Sequence, residues 1–200
     1  MDVASRFKTS WTKKRRRARL HIALLFVALG AASCAPAIET IPPDYTFGPR
    51  EEAIIVGRLE YIKSDGSTFP GGSWETMVLV VKNDVTGKPH RVQCDTSGFI
   101  ANFYVALPVG TYTVEAWQIG GAGGKPPGAF RAEKGQVVYV GTVRYTIEES
   151  WGKRFLAALG GVIPGQYSVH DESEKALKDF RERFPHIKQE FVKSLLWSRQ

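Results

Sequence analysis

A thiolate is the strongest ordinary nucleophile a side chain offers, so chemistry in this chain starts with its two cysteines. Cys34 follows Leu29-Gly30-Ala31-Ala32-Ser33, a run that ends in small residues, and precedes Ala35. Small neighbours leave the thiol and the peptide bond before it open to a narrow enzyme site. Cys94 lies beside an expected turn and reads as a small apolar core residue, with a redox-sensing thiol as the alternative. His90, His170 and His186 follow Cys34 in the chain, and none has a second ligand at metal spacing. No metal and no cofactor is therefore expected. Neither a Gly-x-Ser-x-Gly nor a His-Glu-x-x-His signature occurs, and no catalytic residue is assigned. The loop Gly120-Gly121-Ala122-Gly123-Gly124-Lys125-Pro126 fails as a phosphate loop. Ile119 stands where its first glycine should be, and Pro126 stands where Ser or Thr should hold a cation.

The segment before Cys34 explains why a thiol sits there. Lys13 to Arg19 reads Lys-Lys-Arg-Arg-Arg-Ala-Arg, and Leu20 to Ala32 is almost wholly apolar. A basic run, an apolar stretch of ~7–15 residues and then small residues make a secretion signal. Such a stretch, at ~1.5 Å per residue, spans about 20 Å, short of the ~30 Å hydrocarbon core. This argues against a permanent transmembrane helix. Leu29 to Cys34 resembles the lipobox of bacterial lipoproteins, although Ala31 stands where that family prefers Leu. The resemblance implies diacylglycerol on the Cys34 thiol, cleavage before it and acylation of the new amino group. A plain signal peptide cut near Ala32 is the alternative. The resemblance also implies a partner, the membrane, reached through lipid on Cys34. Ala35 in place of Asp implies the outer membrane, with the body facing the periplasm. Acylated Cys34 would leave Cys94 without a partner in the chain.

Charge narrows the partners further. The formal net charge is +7, yet residues 1–33 hold eight basic residues and one acidic residue. That leaves 19 of each sign in residues 34–200. The body has no electrostatic footprint for nucleic acid.

These residues must be carried by something, and the pattern after Cys34 shows what. Residues 34–50 include Pro36, Pro42, Pro43 and Pro49, which predict an extended tether. A fully extended tether reaches up to about 50 Å, and a shorter, partly docked one is equally open. Residues 51–148 read as strands. Ala53 to Ile62 is β-rich, and Met77 to Val81 is apolar on both faces, as in a central strand. Turns are expected at Asn83–Gly87, Asp95–Gly98 and Leu107–Gly110. Tyr112, Val114 and Ala116 should face opposite to Thr113, Glu115 and Trp117. Val137, Tyr139, Gly141, Val143, Tyr145 and Ile147 should share one face, and Val138, Val140, Thr142, Arg144 and Thr146 the other. Short strands at this spacing predict a mainly β fold, a single antiparallel β-sandwich of about seven to eight strands with a C-terminal helix packed on it.

The run Asp95-Thr96-Ser97-Gly98-Phe99, then Phe103, Leu107-Pro108 and Gly110-Thr111-Tyr112-Thr113-Val114 resembles the carboxypeptidase regulatory-like family. That likeness covers roughly residues 54–118 and implies a transthyretin-like sandwich. It is nearly silent on function. Lys134 to Val143 also resembles a strand of many poorly characterised bacterial lipoproteins.

Residues 149–170 read as a connector with a short helix and an edge strand at Gln166–Val169. Within it, Trp151 to Leu159 mixes Trp151, Phe155, Leu156 and Leu159 with Lys153 and Arg154. This reads as a lid over one end of the sandwich, or alternatively as a membrane-surface helix. Residues 171–200 read as a helical tail. Asp171 and Glu174 fit a capping box, Leu177, Phe180 and Phe184 form an apolar stripe, and Pro185 stops the helix. Glu174–Lys178 and Lys175–Asp179 are the expected surface pairs.

Three functional expectations follow. The first is a membrane-anchored, non-enzymatic binding or structural module of the cell envelope. The second is a subunit of a multiprotein envelope assembly, docking through the C-terminal helix or Trp151–Leu159. The third is a hydrolase or oxygenase on a transthyretin-like sandwich. For an oxygenase, Tyr139, Tyr145, His90 and His170 supply on paper the two Tyr and two His that intradiol dioxygenases place on iron.

Overall fold

The computed structural model describes residues 37–48, 51–67, 77–97, 100–119, 122–124, 128–147 and 165–196, all within the compact unit Ala37–Gln200. β-branched and aromatic residues dominate the long strands, as their fit to a pleated surface requires. The elements run β1 (Ala37–Ile38), β2 (Glu52–Lys63), β3 (Met77–Asn83), β4 (Pro89–Ser97), β5 (Ile100–Pro108), β6 (Gly110–Ile119), β7 (Ala122–Gly124), β8 (Ala129–Ala132), β9 (Val137–Ile147), β10 (Gly165–His170), α1 (Ser173–Arg183) and β11 (Phe191–Lys193).

The fold is mainly β. Its strands form one sheet in the order β10-β9-β2-β5-β4-β3-β6-β7, with β1 added on β4, β8 on β6 and β11 on β9. The expected all-antiparallel pairing is corrected, because β2 runs parallel to β9, β1 to β4 and β11 to β9. Strand β9 arrives long after β2 in the chain, so no hairpin forces the two to oppose each other.

The sheet curls back on itself. β6 and β9 stand five places apart in the strand order, which on a flat sheet would mean about 24 Å at ~4.8 Å per strand. Yet the rings of Trp117 in β6 and Tyr145 in β9 lie 5.2 Å apart. Inside the curl, Ile55, Leu59, Leu79, Val81, Phe103, Val105, Tyr112, Val114, Phe130 and Val140 form the main core. A second core covers the outer face of β2, β5 and β9. There Phe180 and Phe184 of α1, both fully buried, pack on Ile54, Val56, Tyr104, Val137 and Tyr139.

Two bulges set which side chains face that interior. In β6, Val80 pairs with Ala116 and Val81 with Val114, so Glu115 is an extra residue. The alternation changes parity there. Trp117, expected to face outward with Thr113 and Glu115, is buried in the main core instead. In β9, Val56 pairs with Tyr139 and Arg58 with Thr142. Gly141 absorbs this irregularity with φ +106, where a Cβ would also lie 2.7 Å from Val169 Cγ1. The single-face reading of β9 is therefore corrected. Val137 and Tyr139 face α1, whereas Val143 and Tyr145 face the main core.

One further expectation changes, and the alternatives left open for the flanking segments are decided. Asp95, Thr96 and Ser97 are paired strand residues opposite Asn102, Ala101 and Ile100, not a turn. The Pro-rich segment docks through residues 37–48: β1 pairs with β4, Ile41 is buried, and its N–H donates to Tyr104 O at 2.8 Å. Connector and tail are integral, since β10 and β11 extend the sheet along β9. The turn after Asn83, the edge strand before α1 and the helix end at Phe184 follow the expected pattern. At the helix start, Asp171 Oδ1 accepts the Ser173 N–H at 3.0 Å, and Glu172 is the N-cap, in place of the expected capping box. The i,i+4 ion pair on α1 is Lys178–Glu182.

Candidate functional site

Cys34, the assigned lipidation residue, lies outside the described residues, as do Trp151–Leu159 and most of the Gly120–Gly128 loop. Among the described residues no helix is long and apolar enough to cross a membrane. Two constellations remain that could do chemistry: an aromatic box at one end of the curl, and a charged seam between α1 and the sheet.

The box follows from the two bulges, which turn Trp117 and Tyr145 inward to meet Tyr61 of β2 and Tyr167 of β10. Tyr61 meets Trp117 edge-on at 5.0 Å and Tyr145 at 5.1 Å. Tyr145 and Tyr167 lie 4.5 Å apart. Trp117 Nε1–H donates to the Tyr167 hydroxyl. Gly124 of β7 passes beneath this bond, and a Cβ there would strike Tyr167 Oη and lie 2.9 Å from Trp117 Nε1. The Tyr61 hydroxyl is buried with no hydrogen-bond partner among the described residues. Burial, with Tyr145 and Tyr167 close by, pushes its ionisation far up. Burial likewise pushes Tyr145 up to about 12, aided by Tyr167. Neither phenol is a base at neutral pH. The cleft among these rings holds about 10 Å³, the scale of one water at ~10–15 Å³.

In the seam, Arg144 Nε donates to Glu60 Oε2 at 2.7 Å, and its Nη2 pairs with Glu172 beside α1. Glu60, first through its hydrogen bond, raises the pKa of Arg144 further. Arg58 Nε lies 2.8 Å from Glu60 Oε1, yet its N–H makes no hydrogen bond. We take the contact as a charge pair with poor direction, because a hydrogen bond needs alignment as well as distance. The Tyr139 hydroxyl accepts the Glu172 N–H at 3.1 Å and lies 3.2 Å from Thr142 Oγ1. This network ties the helix start to β9. The adjoining cleft, between Arg58, Asn102, Tyr139, Thr142 and Asp179, holds about 20 Å³, again the scale of a water.

The structure does not bring the four oxygenase candidates together. Tyr139 and Tyr145 occupy opposite faces of β9. His90 packs edge-on to Tyr112 at 5.7 Å, and burial lowers its pKa. His170 Nε2 lies 2.8 Å from Ser168 Oγ, and His186 Nε2 lies 2.7 Å from Tyr45 O. Among the described residues no group of three or more His, Cys, Asp or Glu could hold a metal. Cys94 is buried in the main core, and burial raises its thiol pKa to about 12, which disfavours a redox-sensing thiolate. The apolar stripe of α1 is used internally, so a partner docking on that helix would meet its polar face. Sequence reasoning missed the box. Its rings are 28 to 56 positions apart in pairs such as Tyr61–Trp117 and Trp117–Tyr145, and the surplus residues that turn them inward show only in the strand register.

No family model matches the chain, and no curated protein matches it. Among solved structures, a leucine-rich repeat protein from Bacteroides thetaiotaomicron VPI-5482 is similar over 56% of this chain, at 18% identity and a TM-score of 0.34. The chain covers 16% of that protein's length.

Proposed function

We propose that this chain is an envelope lipoprotein, anchored by acyl groups on Cys34, whose β body is a non-enzymatic binding or structural module facing the periplasm. The observation that carries the reading is the succession of Lys13–Arg19, the apolar stretch Leu20–Ala32 and the small-residue approach to Cys34. A second observation supports it: among the described residues the first strand begins at Ala37, three residues past Cys34, so cleavage before Cys34 would leave those strands whole. Two or more acyl chains on one residue anchor firmly, where one holds only marginally. Ala35 favours the outer membrane. For the body, a transthyretin-like sandwich is the finer fold we propose. The main core enclosed between β3, β4, β6 and β8 on one side and β2, β5 and β9 on the other supports it, and the parallel β2–β9 pair is its main departure.

The test is the intact mass of the protein expressed in its host, beside Cys34→Ala. The expected mass is a chain beginning at Cys34 plus acyl groups, with both changes absent from the variant. A soluble, unmodified mature chain, or an uncleaved one, overturns the anchor.

A further inference from the structure

Two segments far apart in the sequence close the second core together. Residues 37–48 pass from β4 to β5, where Ile41 is buried and its N–H donates to Tyr104 O at 2.8 Å. Half-buried Tyr45 and Phe47 of the same segment pack against that core. Phe180 and Phe184 of α1 and Ile187 of the loop after it supply the rest. Tyr104 serves both segments. Its carbonyl holds Ile41, its ring meets Phe184 at 5.5 Å, and the Arg183 guanidinium lies 5.2 Å from the ring centre.

Polar contacts join the two segments directly. Asp95 divides its carboxylate between them: Oδ1 accepts from Thr40 Oγ1 at 3.0 Å, and Oδ2 meets Arg183 Nη2 at 2.7 Å. His186 Nε2 lies 2.7 Å from Tyr45 O. Arg181 donates to Ile187 O and Gln189 O, which fastens the loop to the end of the helix. The start of α1 is held differently, by the contacts of Glu172 with Arg144 and Tyr139 on the sheet. α1 joins β10 to β11, and both of those strands pair with β9, so lifting the end of the helix breaks no strand pairing. A unit with few ladder hydrogen bonds opens at lower cost than the strands beneath it.

We propose that residues 37–48 are a latch on the C-terminal end of α1. The two open and close as one unit, Asp95 is their shared catch, and release uncovers the apolar face formed by Ile54, Val56 and Tyr104. The test is hydrogen–deuterium exchange on the full chain, resolved to single amides by fragmentation mass spectrometry. Thr40→Val removes the strap's bond to Asp95, and Arg183→Met removes the helix's. The amides read are those of Ile41, Phe184 and Ile187, each hydrogen-bonded in the closed form. Each variant should speed exchange at all three by a like factor, about two- to five-fold, the scale of one hydrogen bond or exposed ion pair. The amides of β3 and β6 should keep their rates. Thr113→Val, which loses a bond to Asp84 instead, should leave the three amides unchanged. A variant that loosens only its own segment, or neither, overturns the latch. An equal rise in β3 and β6 also overturns it, because unfolding of the whole body would then account for the exchange.

Discussion

The two ends of the curled sheet are closed by opposite means. At the turn end, polar atoms close the structure. Asn83 Oδ1 holds two backbone N–H groups, and Gly87 takes φ +67 to complete the turn. The Tyr112 hydroxyl donates to Pro108 O at 2.7 Å while its ring stacks on Phe130 at 5.3 Å. At the aromatic end, rings close the structure. There the Tyr61 hydroxyl is buried without a partner among the described residues, and the strand ends Lys63, Met77, Ile119, Ile147 and Gly165 gather around the box. The difference teaches that a tyrosine's place in a core does not fix what its hydroxyl contributes: at one end the group stabilises the fold, and at the other it costs.

The hardest way to break this comparison is to remove a ring at each end. Trp117→Ala and Phe130→Ala should each destabilise by about 3–5 kcal/mol in denaturant unfolding, because each leaves a cavity in the main core. A small loss at Trp117 would show that the box is a surface ornament. Alkaline titration should then separate the ends. Burial raises the Tyr145 pKa to about 12 and that of Tyr61 further, against about 10 unfolded. A raised folded pKa gives stability that is complete below pH ~10 and is lost as pH rises through ~12. Phenolate absorbance of these two rings should appear only together with unfolding, and appearance at pH ~10 in folded protein would sink the box.

The same substitution at each end gives the next largest contrast. Tyr112→Phe should cost about 1 kcal/mol, the usual net worth of a hydrogen bond, whereas Tyr61→Phe should be neutral or slightly stabilising. Matched melting shifts in the two variants would erase the distinction. Smallest of all, Val85→Ser should alter stability by less than about 0.5 kcal/mol, since the side chain is almost fully exposed. Any loss beyond that in thermal melts would mean the turn depends on it.

Particular residues show where the sequence was legible. Met77 to Val81 could be assigned to a central strand because both of its faces are apolar, and β3 does lie between β4 and β6. Phe180 and Phe184 could be assigned to a covered helix face because their spacing is helical, and both are fully buried. Trp117, Val143 and Tyr145 were placed on the wrong faces. An extra residue in one strand is visible only against its partner, and the partner strands β3 and β2 are distant in the chain. The Pro-rich segment left two readings open for a related reason. Its prolines describe an extended backbone, and an extended backbone is equally able to dock, as Ile41 does.

What the sequence determined by itself was local: the basic and apolar run before Cys34, the neutral charge of the remainder, the strand periods and the helical stripe. Each of these is a property of neighbouring residues and needs no partner to be read. Only the tertiary structure decided which strands run parallel, where the alternation slips, and which rings meet as a box. Those outcomes depend on pairings between residues tens of positions apart, and the free energy that selects them is released only when both sides of the curl close on one core.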